Sequence, residues 1–330
     1  MFAAPAEIPC TVFARLPEAL RNASAGHEWV AQQPAGGPER SLLEGPSFDR
    51  NGDLWCVDLP NGRILKLSPG GEFTVAARYD GWPNGLKIHR DGRVFIADHK
   101  HGLMVLDPAS GVVTPWLERV GVERFKGVND LFFAANGDLY FTDQGLTDLD
   151  DPTGRLFRVR ADGRIDCLLD NIPSPNGLVM NADESALYLA VTRANAVWRV
   201  PLARDGGVVK VGVFIQLSGG GGPDGLALDA EGRLLVAHVG LGSVWVFDQR
   251  GEPVGRIRAL EGAFTTNLAF GGPENRSLFI TESASATILH AEMPVPGKKC
   301  SRIRKKASFS EEKEAKRLLS IGQCLRHCPY

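Results

Sequence analysis

Short runs of alternating apolar and polar residues return six times along the chain at a period of about 45 residues, the signature of a repeat architecture. The copies are GPSFDRNGDLWCVD (45–58), NGLKIHRDGRVFIAD (84–98), NDLFFAANGDLYFTD (129–143), NGLVMNADESALYLAVT (176–192), DGLALDAEGRLLVAH (224–238) and TNLAFGGPENRSLFITE (266–282). Each reads as two strands joined by a polar turn, usually closed by glycine. A third alternating run follows (GRILKLS, GLMVLDP, GRLFRVR, NAVWRVP, GSVWVFD, TILHAEM), and a fourth follows five of the copies. Four short antiparallel strands per unit make a propeller blade, so the pattern predicts an all-β, six-bladed β-propeller. The sixth unit lacks its fourth strand, and TVFARLP at 11–17 supplies the missing pattern. An N-terminal strand closing the last blade would seal the ring and cover an exposed edge.

In such a ring, the residues just before each innermost strand converge on one mouth. They are Glu44, Asn84, Asn129, Asn176, Asp224 and Asn267, and each is 40 to 48 residues from the next. Asn and Asp also favour turns for local reasons, and singly each fits that plainer role. Their position sets them apart, since Asn51-Gly52, Asp91-Gly92, Asn136-Gly137 and Glu231-Gly232 already serve the turns between strands one and two. Two carboxylates among amides, with no Cys or His, suit a hard divalent cation: Ca²⁺ first, with Mg²⁺, Mn²⁺ or the less selectively held Zn²⁺ as alternatives.

The ordered set EGP (44–46), VND (128–130), PNG (175–177) and PDG (223–225) resembles the gluconolactonase, regucalcin (senescence marker protein) and luciferin-regenerating-enzyme family over residues 10–297. The resemblance implies a catalytic cation held by Glu44, Asn129, Asn176 and Asp224, with Asn129 shared between metal and substrate. It also implies hydrolysis of a sugar or aldonic-acid lactone. Within that reading Asp224 is the first candidate to deprotonate water or attack directly, Asp130 is the second candidate base or a substrate contact, and Asn84 and Asn129 would hold substrate hydroxyls. Phosphotriester or fluorophosphate hydrolysis on the same site, and cation binding without catalysis, are the alternatives. The blades differ from one another at the ring position, and that asymmetry favours catalysis over a repeated binding surface.

A second set ends the second strands: Asp58, Asp98, Asp143, Thr192, His238 and Glu282. Of these, Asp143 and His238 are expected to approach the substrate, with a half-buried structural role as the equal alternative for His238. The long segment TDQGLTDLDDPTG (142–154) is expected to overhang the entrance, its acids Asp148, Asp150 and Asp151 reading as a solvated loop before a second cation site. His99 and His101 read as polar loop residues for want of a third histidine. Trp82 is expected to flank a substrate at the mouth, whereas Trp55, Trp198 and Trp245 alternate within strands and read as packing between blades.

Composition changes this picture little. Of 330 residues 38 are Gly and 21 Pro, as a turn-rich β fold requires, and 43% are hydrophobic, enough for a large core. No apolar run approaches the ~20 residues that span a bilayer, and the N-terminus lacks a signal-peptide pattern. Six cysteines without metal-like spacing fit a reduced, cytoplasmic chain. The net charge of −2 argues against nucleic acid as a partner. The resemblance implies a small lactone instead, and the chain is expected to be a monomer or homodimer. Residues 298–330 break the pattern: ten Lys/Arg against three Asp/Glu, no strand alternation, and a possible short helix near 310–320, so they read as a tail appended to a propeller of residues 1–297. Neither a G-x-S-x-G elbow nor a P-loop occurs.

Overall fold

The computed structural model describes residues 4–21, 28–33 and 38–298. Its sheets are six blades around a common axis, each of four antiparallel strands. Blade one consists of Leu43–Phe48, Leu54–Asp58, Arg63–Leu67 and Phe73–Arg78, innermost strand first. Blades two to five repeat this order, beginning at Pro83, Val128, Pro175 and Gly222. Blade six is built as the sequence predicts. Thr11–Arg15 pairs antiparallel with Thr287–Glu292, in the register Thr11 to His290 and Arg15 to Thr287. One strand is an addition: Ala6–Ile8 runs parallel along the outer edge of blade five, Ala6 opposite Gly255. The N-terminal segment thus covers the edges of the last two blades. A two-stranded ribbon, Arg119–Val120 with Glu123–Arg124, separates blades two and three.

Alternation along each strand sends one face into each flanking seam. Six apolar clusters result, one per pair of neighbouring blades. Trp55 is buried in the seam between blades one and two, and Trp198 and Trp245 pack partly into seams further round. Burial of this kind, at about 25 cal/mol per Å² of apolar surface, holds blade to blade.

The innermost strands share one irregularity. In every blade the pairing with the second strand slips at the ring residue: between Glu44 and Ser47, Pro83 and Gly85, Val128 and Leu131, Pro175 and Leu178, Pro223 and Leu226, and Thr265 and Leu268. Such bulges re-aim a side chain and increase local twist. Close approach of neighbouring inner strands also needs room. A Cβ on Gly85 would lie 2.6 Å from Asp130 Oδ1, and one on Gly225 would lie 2.1 Å from Asn267 Oδ1. These two glycines make space for the polar side chains of the next blade.

Past blade six the chain turns back beneath blade five, where Asp229 bridges Gly297 and the Lys298 N–H donates to the Leu228 carbonyl over 2.9 Å. The rest of the expected basic tail, including the helix near 310–320, lies outside the described residues. Among the described residues no helix is long and apolar enough to cross a membrane.

Candidate metal and active site

A cavity of about 700 Å³ opens at the mouth to which the bulges turn the ring. Glu44, Asn84, Asn129, Asn176 and Asp224 all line it, each no more than 8% exposed. Asn267 and Asp130 sit beneath them, outside the cavity lining. Asn267 donates from Nδ2 to Glu44 Oε2 over 2.8 Å, across the seam between blades six and one. Asp130, expected as a base or substrate contact, is not part of that lining: its Oδ1 accepts the Leu131 N–H at 2.8 Å and lies 4.0 Å from Lys87 Nζ.

The ring is electrostatically uncomfortable on its own. Burial, then the charges of Asp224 and Asp130, push the Glu44 carboxyl well above its ordinary range. Burial and the Asp130 charge raise Asp224 to about 8, against a hydrogen bond from Asn176 and the more distant charge of Arg193. Asp130 is also raised, first by burial, with Lys87 opposing. Like-charged carboxylates crowded in this way gain most from a cation.

One atom tests whether these residues fit such an ion. Glu44 Oε1 is buried without a hydrogen-bond partner, while its Oε2 takes Asn267 and the Gly45 N–H. A buried carboxylate oxygen left bare is costly, and a cation would satisfy it. Asn129 spends its Nδ2 on Gln144 Oε1 at 2.9 Å, and Gln144 in turn donates to Ser174 Oγ at 2.9 Å, which fixes the amide with its oxygen at the other end. Among the described residues no trio of His, Cys, Asp and Glu closes on one point. The donors here are two carboxylates with amide oxygens, a set that hard cations take. Glu44, Asn129, Asn176 and Asp224 fit the ion.

The second set of polar residues, Thr192 apart, turns away from the cavity. Asp143 accepts the Gly127 N–H at 2.8 Å and Arg155 Nε at 2.8 Å, and is fully buried. His238 is committed on both nitrogens: Nδ1 accepts Trp245 Nε1 at 3.2 Å, which makes Nε2 the donor to the Gly219 carbonyl at 2.9 Å. Neither residue lines the cavity, so the expected substrate contacts are replaced by structural ones. Asp58 and Glu282 likewise accept the N–H of Leu42 and Phe264, just ahead of their own inner strands.

The segment at 142–154 does overhang the entrance, contributing Gln144, Leu146, Thr147 and Asp148. Asp148 caps its own turn by accepting the N–H groups of Asp150 and Asp151. Trp82 is not part of the lining; it packs against His99, ring centres 6.1 Å apart. His99 is the residue the sequence undervalued. It lines the cavity, its ring occupies the space a side chain at Gly127 would take, and its buried Nδ1 has no partner. Burial lowers its imidazole to about 4, so it stays neutral near pH 7. Trp29, from the short helix Glu28–Ala31 outside the repeat, also reaches the cavity.

Residues 42–284 match the family model for the SMP-30/gluconolactonase/LRE-like region. The chain belongs to this family. As a family member it is 32% identical over 227 residues to the lactonase drp35 of Staphylococcus aureus, a match spanning 65% of this chain and 69% of the relative. The drp35 lactonase of Staphylococcus epidermidis is 31% identical over 228 residues, with the same coverage. Among solved structures, the calcium-binding protein regucalcin from Agrobacterium tumefaciens superposes with a TM-score of 0.70 at 25% identity, covering 91% of this chain and 100% of that one. A gluconolactonase from Xanthomonas campestris gives 0.69 at 23% identity, covering 89% and 100%, and supports the fold.

Proposed function

We propose that this family member is a metal-dependent lactonase, a hydrolase that opens a cyclic ester with water. The observation that carries the reading is the convergence of Glu44, Asn129, Asn176 and Asp224 on one cavity, with Glu44 Oε1 buried and bare. Glu44, Asn129, Asn176 and Asp224 would hold a divalent cation, Ca²⁺ before Mg²⁺, Mn²⁺ or Zn²⁺, which when bound would supply Lewis acidity toward the ester carbonyl. Asp224, oriented by its hydrogen bond from Asn176, takes the proton of the attacking water. Asn84, Asn129 and the neutral His99 face the cavity and hold substrate oxygens. A sugar or aldonic-acid lactone is the finer assignment that the family resemblance suggests.

The test is acid release from a panel of lactones by protein stripped with chelator and then resupplied with single cations. Stripping should abolish turnover, and Ca²⁺ should restore it best. Undiminished hydrolysis by the stripped protein would overturn the metal role, and failure to open any lactone would overturn the reading as a whole.

A further inference from the structure

The cavity has two unlike halves. Blades two, three and four present Asn84, His99, Asn129, Gln144 and Ser174, a wall of hydrogen-bonding groups. Blades one, five and six, with the segment at 28–33, present Trp29, Val30, Leu42, Leu59, Val239 and Phe264. Beside them stand Glu44 and Asp224, with Thr266 and Gln33 as further polar residues. The exposed Gln32 and Glu39 stand at the rim of this second half. The six apolar residues come from five separate stretches of chain, and two of the residues, Trp29 and Val30, come from a helix that the blade repeat does not require. Trp29 is 7% exposed and turns its small free surface to the cavity, while Leu59, fully buried, backs the wall from behind.

A fully hydroxylated lactone fits poorly here. Whichever way its ester lies over Glu44 and Asp224, some hydroxyls face the apolar side chains, where few groups replace the water a hydroxyl gives up. The volume of about 700 Å³ also lies well inside the ~300–1,000 Å³ range typical of sites for larger ligands. We infer that the substrate is an amphipathic lactone: its ester ring sits over the carboxylate and amide floor, and an alkyl or aryl substituent lies along the wall formed by Trp29, Val30, Leu42, Leu59, Val239 and Phe264. This rests on the lactonase reading and narrows it, away from sugar lactones.

The experiment measures kcat/KM, at saturating Ca²⁺, for δ-valerolactone, δ-hexalactone, δ-octalactone, δ-decalactone and glucono-δ-lactone. Each methylene laid on the wall should raise kcat/KM by up to about fourfold, mainly through KM, and the gain should stop where the chain reaches the rim. Glucono-δ-lactone should be the poorer substrate. Trp29→Ala should flatten the chain-length slope, and Val30→Asn, which alters the same wall by a smaller change, should flatten it in part; circular dichroism establishes that each variant is folded. A flat wild-type series with glucono-δ-lactone preferred would overturn this inference and leave the lactonase reading standing. A slope unchanged in both folded variants would overturn the assigned wall. If no lactone is opened with any cation, the lactonase reading falls and this inference falls with it.

Discussion

Two rings of polar residues surround the same mouth, one residue of each per blade, and they do opposite work. The outer ring, which includes Asp58, Asp143, His238 and Glu282, is spent on the protein itself: its oxygens and nitrogens are bonded to backbone N–H and carbonyl groups, to Arg155 or to Trp245. It pins the entry to the inner strands. The inner ring is left in need, its two carboxylates crowded by each other and by nearby Asp130, with one oxygen of Glu44 bare. Periodicity and polarity are common to both rings. What separates them is whether the protein has already satisfied the group, and only the unsatisfied ring has chemistry to offer.

That distinction can be broken by mutation. The largest effect is expected at Asp224→Asn, which keeps a coordinating oxygen but removes a charge and the proposed proton acceptor. At saturating cation kcat should fall by about 10²–10⁴-fold, read from full kinetic curves. Near-wild-type turnover would place Asp224 with the outer ring. Asp143→Asn should do the converse, leaving turnover per folded molecule near wild type while lowering stability. Glu123 still holds Arg155 at 2.6 Å, so the cost should be about 1–3 kcal/mol rather than the larger penalty of a buried charge left alone, measured by denaturant unfolding. A collapse of kcat at full stability would bring Asp143 into the site.

The smallest effect is one of pH. In cation-free protein Glu44, Asp130 and Asp224 all titrate above their ordinary values, so folding favours their protonated forms. Their contribution to stability is complete below the unfolded value near 4 and is lost as pH rises through the folded values, reaching about 8 for Asp224. The Tm of the stripped protein should therefore drift down by a few degrees across that window, and Ca²⁺ should flatten the drift. A cation-free Tm that rises with pH would show that the inner ring is not strained in this way.

Much of this was legible in the sequence, for physical reasons. Six copies of one alternation admit few folds, and a ring position is visible because it recurs just before a strand. The missing fourth strand of blade six pointed directly to residues 11–17. Satisfaction is not written in residue type, however. Asp143 and Asp224 read alike until Arg155 and the Gly127 N–H are seen around the first. His99 read as a loop residue because nothing in the string shows that Gly127, far along the chain, leaves a hollow for its ring. Trp29 and the parallel strand Ala6–Ile8 lie outside the repeat, so no period could place them.

The closing strand also orders events in time. Thr11 lies opposite His290, so a segment made before the first blade must wait for the third strand of the sixth blade before it can pair. Until then blades five and six have open edges, and Glu44 lacks the Asn267 amide that steadies it from across the same seam. A partly synthesised chain can gather four blades, but it carries an adhesive edge and an incomplete cation cradle. Completion of the fold and completion of the ligand set are thus one event, so a chain that has failed to close should also fail to hold its ion.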